Sequence, residues 1–245
     1  MLWLCLHLPQ LPLDIFTRAT PADGACAVSD RHGSQQTLLV CNEAAHRLGI
    51  KAGMTLGAAY ALSDSLHVYV RNTAAEDKTL KQLATWCGRF SSMVSLVPPQ
   101  ALVLEVGGSL VFFGGLERLL QQFHEQLSGL GYHFALAVAP TPLGATLLAR
   151  ARYHQPVIDQ QLLISTVMRC PISVLHLTDK QYDALTHLGL KTIGECLRLP
   201  REGLARRLGV DTLLILDKAL GRIPDPRQAF VAPHRFKSTL LLPAD

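Results

Sequence analysis

The stretch Val97 to Gly108, VPPQALVLEVGG, constrains the fold most. Its apolar run from Leu102 to Val106 is short, lacks helical spacing and is bounded by prolines and glycines, so it predicts a strand buried on both faces. Such a strand needs neighbours on both edges and cover on both faces. The opening segment, LWLCLHL, supplies one neighbour: Leu2 to Leu6 reads as a second fully buried strand, ended by Pro9 and Pro12.

The rest of the chain supplies the cover. Leu38 to Cys41 predicts a strand, after which Asn42 caps a helix, EAAHRLG, closed by Gly49. Ile50 to Leu62 predicts a tight turn and a helix, and His67 to Val70 a strand. Thr73 to Phe90 has helical spacing, with Leu80, Leu83, Trp86 and Cys87 on one face. Strands are predicted at Met93–Val97, Leu102–Val106 and Leu110–Phe113, with Gly107 and Gly108 as a hairpin turn. Leu116, Leu119, Leu120, Phe123 and Leu127 form a helical stripe. Tyr132 to Ala139 then predicts a strand, and Pro142 to Tyr153 a helix. The sum is βαββαβ, with residues of about 12 to 70 inserted after the first strand.

Composition permits this core. Of 245 residues, 49% are hydrophobic and 17% charged, which excludes a disordered chain. No apolar run approaches the ~20 residues of a membrane span, and the N-terminus lacks the basic region and cleavage site of a secretory signal. Six cysteines are scattered without a CxxC pair, as in reduced cytosolic proteins. There is no G-x-S-x-G elbow, no P-loop and no HExxH, so hydrolase, ATPase and zinc-site chemistry have no motif here. A net charge of +4 permits contact with nucleic acid.

Past a boundary near Pro156 to Pro171, only short helices follow. Thr178 predicts the cap of a helix with Tyr182, Leu185 and Leu188 on its apolar face. The turn Leu188-Gly189-Leu190 then leads into KTIGECLRLP. Two short helices joined by an apolar-Gly-apolar turn resemble a helix-hairpin-helix. In that motif the second helix presents free amides to a DNA phosphate without reading sequence. The candidate contacts are Gly189, Lys191, Thr192, Ile193 and Gly194, with backbone amides ranked above side chains, and more weakly Arg206 and Arg207. The alternative is a packing turn with a solvated basic face. Pro224 to Pro233 reads as a linker, and Phe236 to Leu242 as the first strand of a further domain.

The order of these segments resembles the Y-family translesion DNA polymerases: palm strand, small fingers, palm again, helical thumb. LVCNEAAHRLGIKAGMTLGAAYAL is similar to their fingers motif, and DALTHLGLKTIGECLRLPREGLARRLG to their thumb hairpin. The MLWLCLHLPQLPLD opening, LVLEVGG followed by LVFFGG, and LAVAPTPLGATLLAR resemble the branch that serves as the polymerase-like subunit of SOS mutagenesis cassettes.

The resemblance implies where polymerase chemistry should sit. The family holds two divalent metals with an acid in the first strand and an Asp-Glu pair at the central hairpin. The matching positions here are His7, Gln100 and Ala101. The fingers positions that offer Tyr and Arg to the triphosphate carry Glu43 and His46. The aromatic sugar gate falls near Pro12, and Arg150 matches a palm lysine facing the triphosphate. The resemblance therefore implies an α+β Y-family body without catalysis, metal or cofactor. Residues 1–11 and 69–160 would form the palm, 12–68 the fingers, 165–226 the thumb, and 227–245 a linker and the start of a little-finger domain. Its expected role is a cytoplasmic, nucleoid-associated scaffold. Its partners would be DNA, an error-prone C-family polymerase, a RecA-related protein and, through a region beyond residue 245, the sliding clamp. Two rivals remain: an active polymerase using Glu105 and Asp14 as metal ligands, and an interaction module that never touches DNA.

Overall fold

The computed structural model describes residues 1–19, 23–32 and 35–232. Strand β1 (Trp3–His7) is buried along its whole length. Helix α1 (Leu11–Thr17) follows, with Pro12 in its first turn, where no amide donor is needed. Strands β2 (Cys26–His32) and β3 (Gln35–Cys41) pair antiparallel. Asn42 then starts α2 (Glu43–Arg47), its side chain accepting from Ala45 N. The same Oδ1 accepts from Cys26 N, and the amide donates to Gly24 O, so one cap ties the helix to the sheet. Thr55 caps α3 (Leu56–Leu62) in the same way. Strand β4 (His67–Val70) completes a three-stranded sheet, order β3-β2-β4, by pairing parallel to β2. Val70 lies opposite Ser29 at the end of this parallel pair.

The chain returns through α4 (Thr73–Cys87) to β5 (Val94–Val97) and β6 (Ala101–Glu105). Helices α5 (Leu110–Phe113) and α6 (Leu116–Ser128), strand β7 (Ala135–Ala139) and helix α7 (Pro142–Arg150) follow. The second sheet has the order β5-β6-β1-β7, with every neighbour antiparallel. Because strand side chains alternate, it has two distinct faces. Leu4, Leu6, Leu102 and Leu104 pack under α4 and α6, whereas Cys5, Ala101, Val103 and Ala137 pack under α7. The expected βαββαβ arrangement is present, with the three-stranded module inserted after β1.

One expected strand is a helix. Leu110–Phe113 forms α5, and Gly107–Ser109 is a 3-10 turn rather than a hairpin. The cause is local: the Glu105 carboxylate accepts from Gly107 N and Gly108 N, curling the chain at once. Four apolar residues in a row fit either strand or helix. Here Val111 and Phe112 are exposed while Leu110 and Phe113 pack inward, an i, i+3 pattern.

The last module is helical: α8 (Gln160–Arg169), α9 (Asp179–Thr186), α10 (Ile193–Leu197), α11 (Arg201–Leu208) and α12 (Val210–Ala219). Its core, including Leu163, Val167, Leu185, Ile193, Leu204 and Leu216, is continuous with the α7 face of the sheet. Polar ties reinforce the joint. Thr141 Oγ1 donates to Ala219 O at 2.7 Å, and Arg150 Nη1 to Val174 O at 3.1 Å. In the segment after α12, Phe230 N donates to Val94 O at 2.7 Å and its ring packs against the core. The expected strand Phe236–Leu242 lies outside the described residues. Among those described, no helix is long and apolar enough to cross a membrane.

Candidate functional site

The β1–β6 register places His7 opposite Ala101, and Leu8 N donates to Gln100 O at 2.8 Å. The three positions singled out from distant parts of the sequence therefore meet at one end of the sheet. His7 shares the α7 face with Cys5 and Ala101, and α7 delivers Arg150 to it at its C-terminal turn. His7 is 8% exposed, and its Nδ1 has no hydrogen-bond partner. Burial lowers its pKa to about 4, and Arg150, His176 and Arg152 push in the same direction against a hydrogen bond with the Gln100 backbone. At neutral pH His7 is an uncharged imidazole.

The two carboxylates that could have rescued a metal site serve the fold instead. Glu105 pairs with Trp3, at the opposite end of the strands from the His7–Ala101 pair. Four strand residues separate the two ends by about 14 Å. Its oxygens accept from Leu2 N, Gly107 N and Gly108 N. Asp14 is 1% exposed and accepts from His133 N at 2.9 Å, with His133 Nδ1 at 2.7 Å from its other oxygen. Glu105 and Asp14 therefore share no site. Among the described residues, no group of three or more His, Cys, Asp or Glu could hold a metal ion. Magnesium favours hard, charged oxygens. An imidazole, a carboxamide and a methyl group beside an arginine do not fit it.

The remaining triphosphate positions separate. Glu43 is exposed on α2 and pairs with exposed Arg47 at 3.3 Å. It lines a cleft with Gln10, Arg18 and His133. His46 is exposed on the same short helix. No described contact joins either to Arg150, which belongs to the His7 cluster.

Helices α9 and α10 flank the Leu188–Leu190 turn. Thr178 caps α9 in a capping box with Gln181, and Gly189 takes φ +74° at the turn. The apolar face is narrower than expected, since Leu185 is buried but Tyr182 and Leu188 are 41% and 50% exposed. The amides at the head of α10 are largely committed. Glu195 Oε2 accepts from Lys191 N at 2.6 Å and Thr192 N at 2.9 Å, and Ile193 N donates to Cys170 O at 3.0 Å. Gly189 N donates to Thr186 O. Gly194 has a packing role: a Cβ there would stand 2.8 Å from Met168 O on α8. What the hairpin leaves open to solvent is side chain, namely Lys191, Arg206 and Arg207. The Glu195 carboxylate at the third position of the helix thus takes up the Lys191 and Thr192 amides at this end of α10.

Three basic residues had no signal in the sequence. Arg152, just past the end of α7, and His176, just past a 3-10 turn, act electrostatically on His7. Arg169, at the end of α8, shares a cleft with Thr192, Gly194, Glu195 and Arg198. Only the fold brings them there.

Comparison with known proteins follows this geometry. The profile of the impB/mucB/samB family matches residues 20–150. Protein ImuB of Caulobacter vibrioides, in strains NA1000 and CB 15, is 31% identical over 174 residues. That match spans 71% of this chain and 38% of the relatives' length. Among solved structures, DinB from Sulfolobus solfataricus superposes with a TM-score of 0.73 at 17% identity, covering 94% of this chain and 70% of that one. A Dbh DNA polymerase insertion ternary complex gives 0.71 at 16% identity, covering 93% and 70%. A Y-family DNA polymerase chimera gives 0.71 at 14% identity, also covering 93% and 70%. At these identities the structural likeness is one of fold: α+β, as in Y-family polymerases.

Proposed function

Because this chain belongs to the impB/mucB/samB family, we propose that it is a non-catalytic, polymerase-like scaffold acting in DNA-damage-induced mutagenesis and translesion synthesis. In this reading the four-stranded sheet and its helices are the palm, the inserted three-stranded module the fingers, and α8 to α12 the thumb. The observation that supports it is the His7–Ala101 pair, at positions that the family resemblance aligns with metal-binding acids. The protein would hold the DNA backbone through Lys191, Arg206 and Arg207, helped by Arg169 and Arg198. It would present that DNA to partners: an error-prone C-family polymerase, an ImuA-like RecA-related protein and the sliding clamp. A cytoplasmic, nucleoid-associated location follows from that role. Such binding is independent of sequence and falls steeply with salt.

A second reading, an interaction module without DNA contact, draws on the Glu195 carboxylate at the head of α10, where it would repel a phosphate. Fluorescence anisotropy with a labelled duplex from 50 to 300 mM salt separates the two. Salt-sensitive binding weakened by Lys191→Glu with Arg207→Glu supports the scaffold. Affinity indifferent to both salt and the double variant supports the module.

A further inference from the structure

The four-stranded sheet ends on one side at β7, and the outer edge of that strand is partly unpaired. In an antiparallel strand the N–H and C=O of one residue point to one side and those of the next residue to the other. Leu8 N donates to Gln100 O and Val106 N to Leu2 O, so the even-numbered residues of β1 turn their backbone groups towards β6. Leu6 and Leu4 therefore do not bond to the residues opposite them on β7, Leu136 and Val138. Those two face outward instead, and Val138 O accepts there from Val157 N at 3.0 Å. Among the described residues, nothing bonds to Leu136 N, Leu136 O or Val138 N. Val138 is 2% exposed, and a buried amide is normally paired.

A cleft of about 180 Å³ lies along this edge. It is lined by Leu136, Ala137 and Val138 of the strand itself, by Leu120 and His124 of α6, and by His154 beyond α7. Both histidines are exposed, and no carboxylate lines the cleft. Donors and an acceptor left open in a row along a strand are a template for another strand. Leu120 and Leu136 offer an apolar side chain a place out of water, and the two imidazoles offer N–H donors to acidic side chains. We propose that the β7 edge docks an extended segment of another protein, in which apolar and acidic residues alternate, as an added strand of the sheet. A second copy of this chain fits less well: pairing β7 with itself would set His124 and His154 beside their own counterparts, with no acid to meet them. The inference goes beyond the scaffold reading and depends on neither a metal-free centre nor DNA contact.

The probe is a blocked heptapeptide alternating glutamate and valine, added at millimolar concentration to the 245-residue chain, with amide hydrogen exchange followed by NMR. Exchange at Leu136 and Val138 should slow by about tenfold or more. The same peptide N-methylated at its central residues keeps its side chains but loses its strand donors, and should protect neither amide. A lysine–valine counterpart should bind about fivefold more weakly or worse, and so should the glutamate peptide to the double variant His124→Glu with His154→Glu. Lys81→Gln, on the exposed face of α4, should change binding less than about twofold. No protection by the glutamate peptide, protection that survives N-methylation, equal binding of both peptides, or equal losses in Lys81→Gln and the double variant would overturn the proposal. Sedimentation equilibrium of the chain alone tests for a second copy: a dimer in which Leu136 and Val138 are protected without peptide would overturn it too. None of these readouts involves DNA, so this proposal and the scaffold reading can fail separately.

Discussion

His7 faces Ala101 across the antiparallel β1–β6 pair, and neither residue can anchor a hard cation. The pair sits at the end of the sheet that α7 leaves open to Arg150, so the same geometry that removes metal ligands brings in positive charge. Substitution at this point alters the electrostatic character of the centre while the surrounding β-ladder stays intact.

Burial of neutral His7 makes stability depend on pH. The pKa lies at about 4 in the folded chain, below the ordinary 6.5, so the unfolded state takes up the proton first as pH falls. The contribution is complete above about pH 6.5 and is lost progressively toward pH 4, amounting to about 3 kcal/mol at most. Urea denaturation of the native chain and His7→Gln at pH 7.5 and 4.5 should show a smaller acid loss in the variant.

Glu105 is predicted to matter for stability alone. Its carboxylate accepts from Leu2 N, Gly107 N and Gly108 N. Glu105→Ala should destabilise the chain by about 2 kcal/mol while DNA affinity stays within twofold. Unchanged stability would mean that those amides find other partners.

Gly194→Ala tests the close approach of α10 to α8. The added methyl would lie 2.8 Å from Met168 O, and a backbone oxygen cannot swing aside. Overpacking of this kind costs about 1–3 kcal/mol, to be read from the denaturation midpoint.

At the hairpin, Thr192→Ala removes the cap of α10 and should cost about 1 kcal/mol. Glu195→Gln should lower the melting temperature and raise DNA affinity severalfold at low salt, since it removes negative charge beside Lys191. Lys191→Glu should weaken DNA binding and flatten the salt dependence by about one unit of slope.

The order of buried strands was legible because residues such as Leu4, Leu6, Leu102 and Leu104 are apolar without interruption. The caps at Asn42 and Thr178 were legible because a side-chain acceptor at a helix start is a local property. Leu110–Phe113 was misread as a strand because the deciding contact, Glu105 with Gly107 and Gly108, involves backbone that no periodicity reports. The convergence of His7, Gln100 and Ala101 followed from the family resemblance. Arg152 and His176 carried no motif, and their left-handed backbone breaks the usual preference for glycine.

Single-nucleotide primer extension with Mg²⁺ and then Mn²⁺ tests the central claim most directly, run beside an active family member shortened to the same boundary. The account predicts that the control extends and this chain does not, at any nucleotide concentration. Extension by this chain, lost on His7→Ala, would contradict it and make the His7–Ala101 end of the sheet a working polymerase centre.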